Sequence, residues 1–171
     1  YHNIFAVSGI LFNHESPLRG EQFITRKIVK SLINILNKKQ KILKVGNLDA
    51  KRDWGYAKEY VGVMWKMMQQ KKPEDFIISS GKAYSVKFFI DLVLKNLKIK
   101  GRWTGKGNKR KFIDDKNKPL IVVSPKLIRK KEYKLLVGNY SKAKRILKWK
   151  PKTSIKKLVK IMIEEEIKYS K

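Results

Sequence analysis

Few kinds of side chain in this chain of 171 residues are suited to chemistry. The sequence has no cysteine, which removes both thiolate catalysis and a disulfide framework. Its two histidines cannot build a zinc site of the usual Cys/His kind. We therefore predict no metal site, and we look to amide and imidazole groups in loops for contacts with a ligand.

Asn13 and His14 open a polar loop directly after the apolar run 4–12. A nearly continuous apolar run of this length predicts a strand that is buried on both faces of a parallel sheet. Ligands of open α/β sheets bind beyond the carboxyl ends of the strands, so the Asn13 amide is a candidate ligand contact. An Asx-turn is the alternative role for Asn13, and a structural role is the alternative for a lone loop histidine such as His14.

The elements that must position this loop alternate between strand and helix, which predicts an α/β fold. Apolar residues at helical spacing predict helices over residues 23–37, between Asp53 and Pro73, after a capping Ser85, over 141–147 and from 154 onward. Short apolar runs predict further strands at 41–45, 76–79 and 120–123. The stretch 101–119 is rich in Gly, Lys and Asn, and we predict an exposed loop there.

The formal net charge of +28 raises the question of nucleic-acid binding. Lysine outnumbers arginine 35 to 7, and the basic residues are spread over every segment. Nucleic-acid readers usually draw on arginine for bidentate contacts, so we predict no specific nucleic-acid partner. No apolar run approaches the roughly 18 residues of a membrane span, and we expect a cytoplasmic protein without a membrane anchor.

Two sequence blocks resemble the GDP-mannose 4,6-dehydratases, an extended short-chain dehydrogenase/reductase family. The first block runs from Gly9 to Pro17 and contains Asn-His-Glu-Ser-Pro, and the second runs from Gly46 to Val61 and contains Lys-Arg-Asp-Trp. Further matches follow in family order across nearly the whole chain: Arg19-Gly20-Glu21, Thr25 to Ile28, Met64-Trp65, Pro73 to Phe76, Ser85-Val86, Arg129 with Glu132, and Leu147 to Pro151.

The resemblance implies the C-terminal portion of a Rossmann-type fold, in which a small substrate-binding lobe closes over a sugar nucleotide. Residues 1–171 are then expected to form this partial region, and the cofactor-binding half with its Gly-rich loop is expected upstream. The catalytic Thr or Ser, Glu, Tyr and Lys of the family are also expected upstream, so we predict no catalytic residue in this chain. Tyr140-x-x-x-Lys144 matches the spacing of the catalytic Tyr and Lys, but about one such match is expected by chance in so lysine-rich a chain.

The family converts GDP-mannose to GDP-4-keto-6-deoxymannose with NADP as cofactor, on the route to GDP-fucose. By resemblance, His14 and Arg19 contact NADP. The residues that the resemblance places against the sugar nucleotide are Arg52 and Arg129 at the diphosphate, Glu132 at the ribose hydroxyls, Ile24 and Lys27 along the nucleotide pocket, and Asn13. An arginine fork suits a diphosphate, and an ionised carboxylate accepts hydrogen bonds from hydroxyl groups.

Three residues depart from the family pattern. Leu18 stands where an arginine is usual, which puts in doubt the basic loop used near NADP and at the subunit interface. Lys130 stands where a proline is usual, and Tyr56 where a histidine is usual. The expected partners are GDP-mannose together with the missing N-terminal half or a homo-oligomer, either a dimer or a tetramer. The alternative functions are a non-catalytic GDP-sugar-binding module and a basic polyanion-binding protein.

Overall fold

The computed structural model of the protein describes residues 4–169; residues 1–3 and 170–171 of the predicted region lie outside the described residues. Strands and helices alternate, which confirms the α/β fold class. The strands are β1 (Gly9–Leu11), β2 (His14–Glu15), β3 (Leu43–Val45), β4 (Lys51–Asp53), β5 (Gly55–Tyr56), β6 (Phe76–Ile78), β7 (Ala83–Ser85), β8 (Arg102–Thr104), β9 (Lys111–Ile113), β10 (Pro119–Val123) and β11 (Leu135–Leu136). The helices are α1 (Ile24–Leu36), α2 (Ala57–Met68), α3 (Val86–Asn96), α4 (Ser141–Ile146) and α5 (Ile155–Tyr169).

The larger core lies between a four-stranded sheet and three helices that contact one another, α1, α3 and α5. The sheet has the order β3-β10-β9-β8, with β10 parallel to β3 and antiparallel to β9. Ile28 and Leu32 lie one helical turn apart on α1 and are fully buried, as are Phe89 of α3 and Ile121 of β10. Full burial of each such side chain contributes about 1.5–3 kcal/mol, so this core anchors the fold.

The smaller core is built on the parallel pair β1 and β6, with Ile10 opposite Ile77. Phe76 and Ile78 face α2 and α4 and are buried, because side chains of a strand alternate between its two faces. Tyr60 of α2 fills the centre of this cluster. Two short pairings join the cores, the sheet β11-β4-β7 and the parallel pair β2 and β5.

The prediction that the run 4–12 is a strand buried on both faces is wrong. The strand covers only Gly9–Leu11, and the Ile10 side chain is 56% exposed. Within the described residues β1 pairs only with β6, so its other edge carries no strand. An apolar run shows that a strand can be buried. Whether the strand is buried depends on other elements that pack against it.

The outer face of α2 is also more exposed than its apolar pattern indicates. Its buried residues are Tyr60, Val63 and Met67, whereas Val61 and Trp65 are 64% and 66% exposed. The helix itself is confirmed, since it begins after Asp53 and ends before Pro73.

The stretch 101–119 is not a simple loop. Strands β8 and β9 form an antiparallel hairpin there, and β9 pairs with β10. The Phe112 side chain is buried and meets the Trp103 ring edge-on at a centroid distance of 5.6 Å. The strands have only three residues each, too few for an alternating pattern to stand out from the surrounding Gly and Lys residues.

Local signals predicted the helices well. Ser85 is the N-cap of α3, and its hydroxyl oxygen accepts a hydrogen bond from the Phe88 N–H at 3.1 Å. Helix α1 lies within the predicted range 23–37. Across residues 4–169, no helix combines the length and apolar character needed to cross a membrane.

Candidate functional site

His14 lies at the point where the two cores meet. It belongs to β2, which pairs in parallel with β5 so that His14 lies opposite Gly55. His14 Nδ1 is 2.9 Å from the Phe12 carbonyl oxygen, and because a carbonyl only accepts, Nδ1 carries the proton. The imidazole ring also lies against Tyr60, with 5.0 Å between the ring centroids. These two contacts fix the orientation of the imidazole ring.

Arg19 is held in one orientation beside His14. Its guanidinium lies over the Phe23 ring, 3.5 Å from the ring centroid, and its Nε is 3.4 Å from a Glu15 carboxylate oxygen. The buried Nε has no hydrogen-bond partner among the described protein atoms. A stacked, partly buried guanidinium loses less freedom on binding an anion, which suits a phosphate contact.

Glu15 is a buried carboxyl group beneath this arginine. Its residue is 2% exposed, and the Thr25 hydroxyl donates to it at 2.5 Å. Burial raises the pKa of Glu15 from its ordinary value of 4.5, while the Thr25 hydrogen bond and the charges of Arg19 and His14 oppose the rise. Thr25 and Arg19 thus tie the start of α1 to the loop that follows β1.

Three further candidates lie near His14 in the sequence, one in the loop after β1 and two on α1. Asn13 is exposed at the carboxyl end of β1, and its carbonyl oxygen accepts from the Gly55 N–H at 2.9 Å. Ile24 and Lys27 are half-buried on the first turns of α1, where Ile24 packs against the larger core. Their contact with a ligand stays a prediction.

Arg52 and Glu132 are 80 residues apart in the sequence and meet in the fold. Arg52 Nη2 donates to Glu132 Oε1 at 3.1 Å, and the two side chains are 14% and 18% exposed. Arg52 Nη1 donates to the carbonyl oxygens of Lys51 and Tyr133, both at 2.8 Å. The structure therefore brings a cationic fork and a carboxylate together as an ion pair at one partly buried point, and their contact with a ligand stays a prediction.

Arg129 lies in the irregular segment that leads to Glu132. Its side chain is exposed, and no ion pair holds its guanidinium among the described residues. Arg129 is three residues from Glu132, and the structure shows no contact between its guanidinium and the Arg52–Glu132 pair among the described residues.

The two groups of candidates are joined by the short segment β4–β5. Arg52 is in β4, and Gly55, three residues later, lies opposite His14. An extended chain rises about 3.3 Å per residue, so at most about 10 Å of backbone separates the two groups. Arg52 and the Gly55 backbone opposite His14 thus belong to one short stretch of the chain.

Sequence reasoning missed two residues that hold this arrangement. Asp53 is 1% exposed, and its carboxylate accepts hydrogen bonds from the backbone N–H groups of Ser80, Gly81 and Gly138 at 2.7, 2.9 and 3.2 Å. Asn47 donates to Glu132 Oε2 at 3.0 Å. Both residues lie within the second family block, but their role depends on partners that are 27 to 85 residues distant.

The Tyr60 hydroxyl is buried next to Gly55 of the β4–β5 segment. Its oxygen has no hydrogen-bond partner among the described protein atoms. Burial raises the pKa of Tyr60 well above its ordinary value of 10, and the Asp53 carboxylate adds to the rise, so the group is a neutral phenol. No cluster of three His, Cys, Asp or Glu side chains that could hold a metal ion occurs within residues 4–169.

The chain matches one family model and several known proteins over nearly its whole length. The family model described as GDP-mannose 4,6 dehydratase matches residues 1–162. A GDP-mannose 4,6 dehydratase of Dictyostelium discoideum is 43% identical over 171 residues, covering 99% of the chain and 48% of the relative. The Homo sapiens protein of the same name is 42% identical over 167 residues, covering 97% of the chain and 45% of the relative. The chain thus spans about half the length of these relatives.

A solved structure of RMD from Pseudomonas aeruginosa complexed with NADPH superposes with a TM-score of 0.72 at 16% sequence identity. The superposition covers 92% of the chain and 46% of that structure. At this identity the likeness establishes the fold, and the fold is that of one portion of a larger architecture.

Proposed function

Because the chain belongs to the GDP-mannose 4,6-dehydratase family, we propose that it forms the sugar-nucleotide-binding portion of an NADP-dependent hydro-lyase. The reaction converts GDP-mannose to GDP-4-keto-6-deoxymannose and water. The observation that carries this proposal is the pairing of Arg52 with Glu132 at 3.1 Å, because it assembles the expected diphosphate and ribose contacts from distant parts of the sequence.

In this proposal Arg52 and Arg129 bind the diphosphate from two sides. Arg52 is fixed by two carbonyl oxygens and Glu132, whereas Arg129 is exposed and reaches the ligand from the solvent side. Glu132 accepts hydrogen bonds from the ribose hydroxyls, since an ionised carboxylate is an acceptor only. Ile24 and Lys27, on the first turns of α1, are proposed to line the nucleotide pocket.

NADP is proposed to bind on the His14 side of the β4–β5 segment. The buried Arg19 Nε lacks a hydrogen-bond partner, and the stacking on Phe23 presents the rest of the fork to an anionic group such as a phosphate. When bound, the cofactor takes up and returns a hydride, which no protein side chain supplies. The chain's own contribution is to orient the cofactor through Arg19 and His14 relative to the sugar nucleotide, which Asn13 is proposed to contact.

The proposed partner is a cofactor-binding portion that carries the catalytic Thr or Ser, Glu, Tyr and Lys. Within residues 4–169 no strand pairs with the second edge of β1, and α2 carries an exposed apolar stripe around Val61 and Trp65; both features support this proposal. A strand edge without a pairing strand presents unpaired N–H and C=O groups. An exposed apolar stripe on a helix favours packing of another element against that stripe. A second copy of the chain, in a dimer or tetramer, is the alternative occupant. The proposed compartment is the cytoplasm.

The test is isothermal titration calorimetry of the 171-residue chain with GDP-mannose at two salt concentrations. UDP-glucose serves as the ligand control. An Arg52→Ala, Arg129→Ala double variant removes both proposed diphosphate contacts, and an Arg102→Ala, Arg145→Ala variant removes the same charge from two exposed positions. We expect the first variant to lose binding and the second to retain it.

Selective binding of GDP-mannose that depends on Arg52 and Arg129 supports the sugar-nucleotide-binding role. Binding that tracks salt and ignores the base is the result expected of a basic polyanion binder. Absence of GDP-mannose binding contradicts the proposal for this chain. Turnover in the presence of NADP and an added cofactor-binding portion separates an enzyme part from a non-catalytic GDP-sugar-binding module.

A further inference from the structure

The Glu132 carboxylate is held from two sides by residues of different sheets. Arg52 donates to Oε1 at 3.1 Å, and the Asn47 side-chain amide donates to Oε2 at 3.0 Å. Asn47 lies two residues after the end of β3, while Arg52 belongs to β4. Glu132 itself lies between the end of β10 and the start of β11, where the described chain forms no strand. Its position is therefore set by these two side-chain partners and not by a strand of its own.

The amide of Asn47 is locked in the orientation that serves Glu132. Its Oδ1 accepts a hydrogen bond from the Asp49 backbone N–H at 2.9 Å, so its Nδ2 donor points at the carboxylate. An amide with an acceptor on one side and a donor on the other satisfies both groups in one orientation only. Asn47 also lies at the carboxyl end of β3, a strand paired in parallel with β10. The donor is thus mounted on a rigid part of the larger core.

A bound nucleotide affects Arg52 and Asn47, the two hydrogen-bond partners of Glu132, differently. A diphosphate competes with Glu132 for the Arg52 fork, because both are anionic acceptors that suit a guanidinium. Asn47 is neutral, so a diphosphate has less attraction for its amide than for a cation. When Arg52 turns toward phosphate, the hydrogen bond from Asn47 remains to hold the carboxylate in place.

We propose that Asn47 is a positioning residue that keeps Glu132 aimed at the ribose hydroxyls of the bound sugar nucleotide, and so sets the preference for a ribonucleotide. This inference rests on the proposed function, since Glu132 is the proposed ribose contact. An ionised carboxylate has about four acceptor sites on its two oxygens, so Glu132 accepts from Asn47 and from the ribose at the same time. Asn47 acts through Glu132 and does not itself contact the ligand.

The experiment compares GDP-mannose with its 2′,3′-dideoxyribose analogue by isothermal titration calorimetry on the 171-residue chain. The wild type is expected to bind GDP-mannose more tightly than the analogue. We expect Asn47→Ala to weaken GDP-mannose binding about tenfold and to leave the analogue within about twofold, because only the ribose contact depends on the hydrogen bond that holds Glu132.

Three variants complete the design. Asn96→Ala removes an amide that donates to the Leu92 carbonyl oxygen on an exposed turn of α3, and it should change neither affinity. Asn47→Asp retains the acceptor for the Asp49 N–H, replaces the donor with an oxygen and has nearly the same shape, so it serves as the test if Asn47→Ala does not fold. In a Glu132→Ala background, Asn47→Ala should have no further effect on the ratio of the two affinities.

Each outcome bears on one of the two proposals. A wild type that binds neither ligand overturns the proposed function and the inference with it. A wild type that prefers GDP-mannose, with Asn47 variants that keep the preference or lose both ligands equally, overturns the positioning role and leaves the proposed function intact. Collapse of the preference in the Asn47 variants alone supports the positioning role.

Discussion

Asp53→Asn is expected to destabilise the protein severely while changing the shape of the residue very little. The buried Asp53 carboxylate accepts three backbone hydrogen bonds, from Ser80 and Gly81 in the turn after β6 and from Gly138 ahead of α4. Asparagine offers one oxygen, and its amide nitrogen points a donor at another donor. No rotation of the side chain satisfies all three N–H groups.

The magnitude follows from the hydrogen bonds. A bond to a charged group is worth about 1.5–3 kcal/mol and a neutral bond about 0.5–1.5 kcal/mol, so two weakened bonds lose about 2 kcal/mol together. One buried N–H without an acceptor costs about 1–3 kcal/mol more. The expected loss is therefore about 3–5 kcal/mol, a large part of the roughly 5–15 kcal/mol by which a domain is stable.

Urea unfolding followed by tryptophan fluorescence measures this loss, because Trp54 is next to the substituted residue and is 2% exposed. The exposed Asp115→Asn removes the same charge and serves as the matched control. Hydrogen exchange at Ser80, Gly81 and Gly138 should accelerate in the Asp53 variant. A loss below about 1 kcal/mol, or one equal to that of the control, would refute the role assigned to this carboxylate.

Two further predictions concern packing and pH. Gly55→Ala places a Cβ atom only 2.4 Å from the fully buried Tyr60 ring and should cost about 1–3 kcal/mol, whereas Gly62→Ala meets nothing within 4 Å on α2 and should gain about 0.5–1 kcal/mol. Thermal unfolding of the two variants checks this, and equal effects would contradict it. Burial raises the pKa of Glu15 above 4.5 in the folded protein. Its ionisation therefore lowers the free energy of unfolding as the pH rises from the pKa of Glu15 in the unfolded chain to its pKa in the folded protein. Wild-type stability relative to Glu15→Gln should therefore be greater at pH 4 than at pH 7, and denaturant unfolding at both pH values tests the sign.

The sequence by itself determined the features whose cause is local. The spacing of apolar residues predicted α1 and α3, and Ser85 was identified as a helix cap, because 3.6-residue periodicity and capping depend on neighbours within one or two turns. The two family blocks and the further matches identified the family, and the resemblance placed Arg52 of the second block and Glu132 of a later match in one site. These predictions needed no knowledge of which elements meet.

The tertiary structure alone decided what depends on distant partners. The apolar run before Asn13 contains an exposed strand, because no second strand covers its outer edge within the described residues. The roles of Asp53 and Asn47 also became visible only in the fold, because their hydrogen-bond partners lie 27 to 85 residues away. A side chain's type limits the bonds that it can make, but the packing of the chain decides which group stands opposite it, and that choice gives this site its geometry.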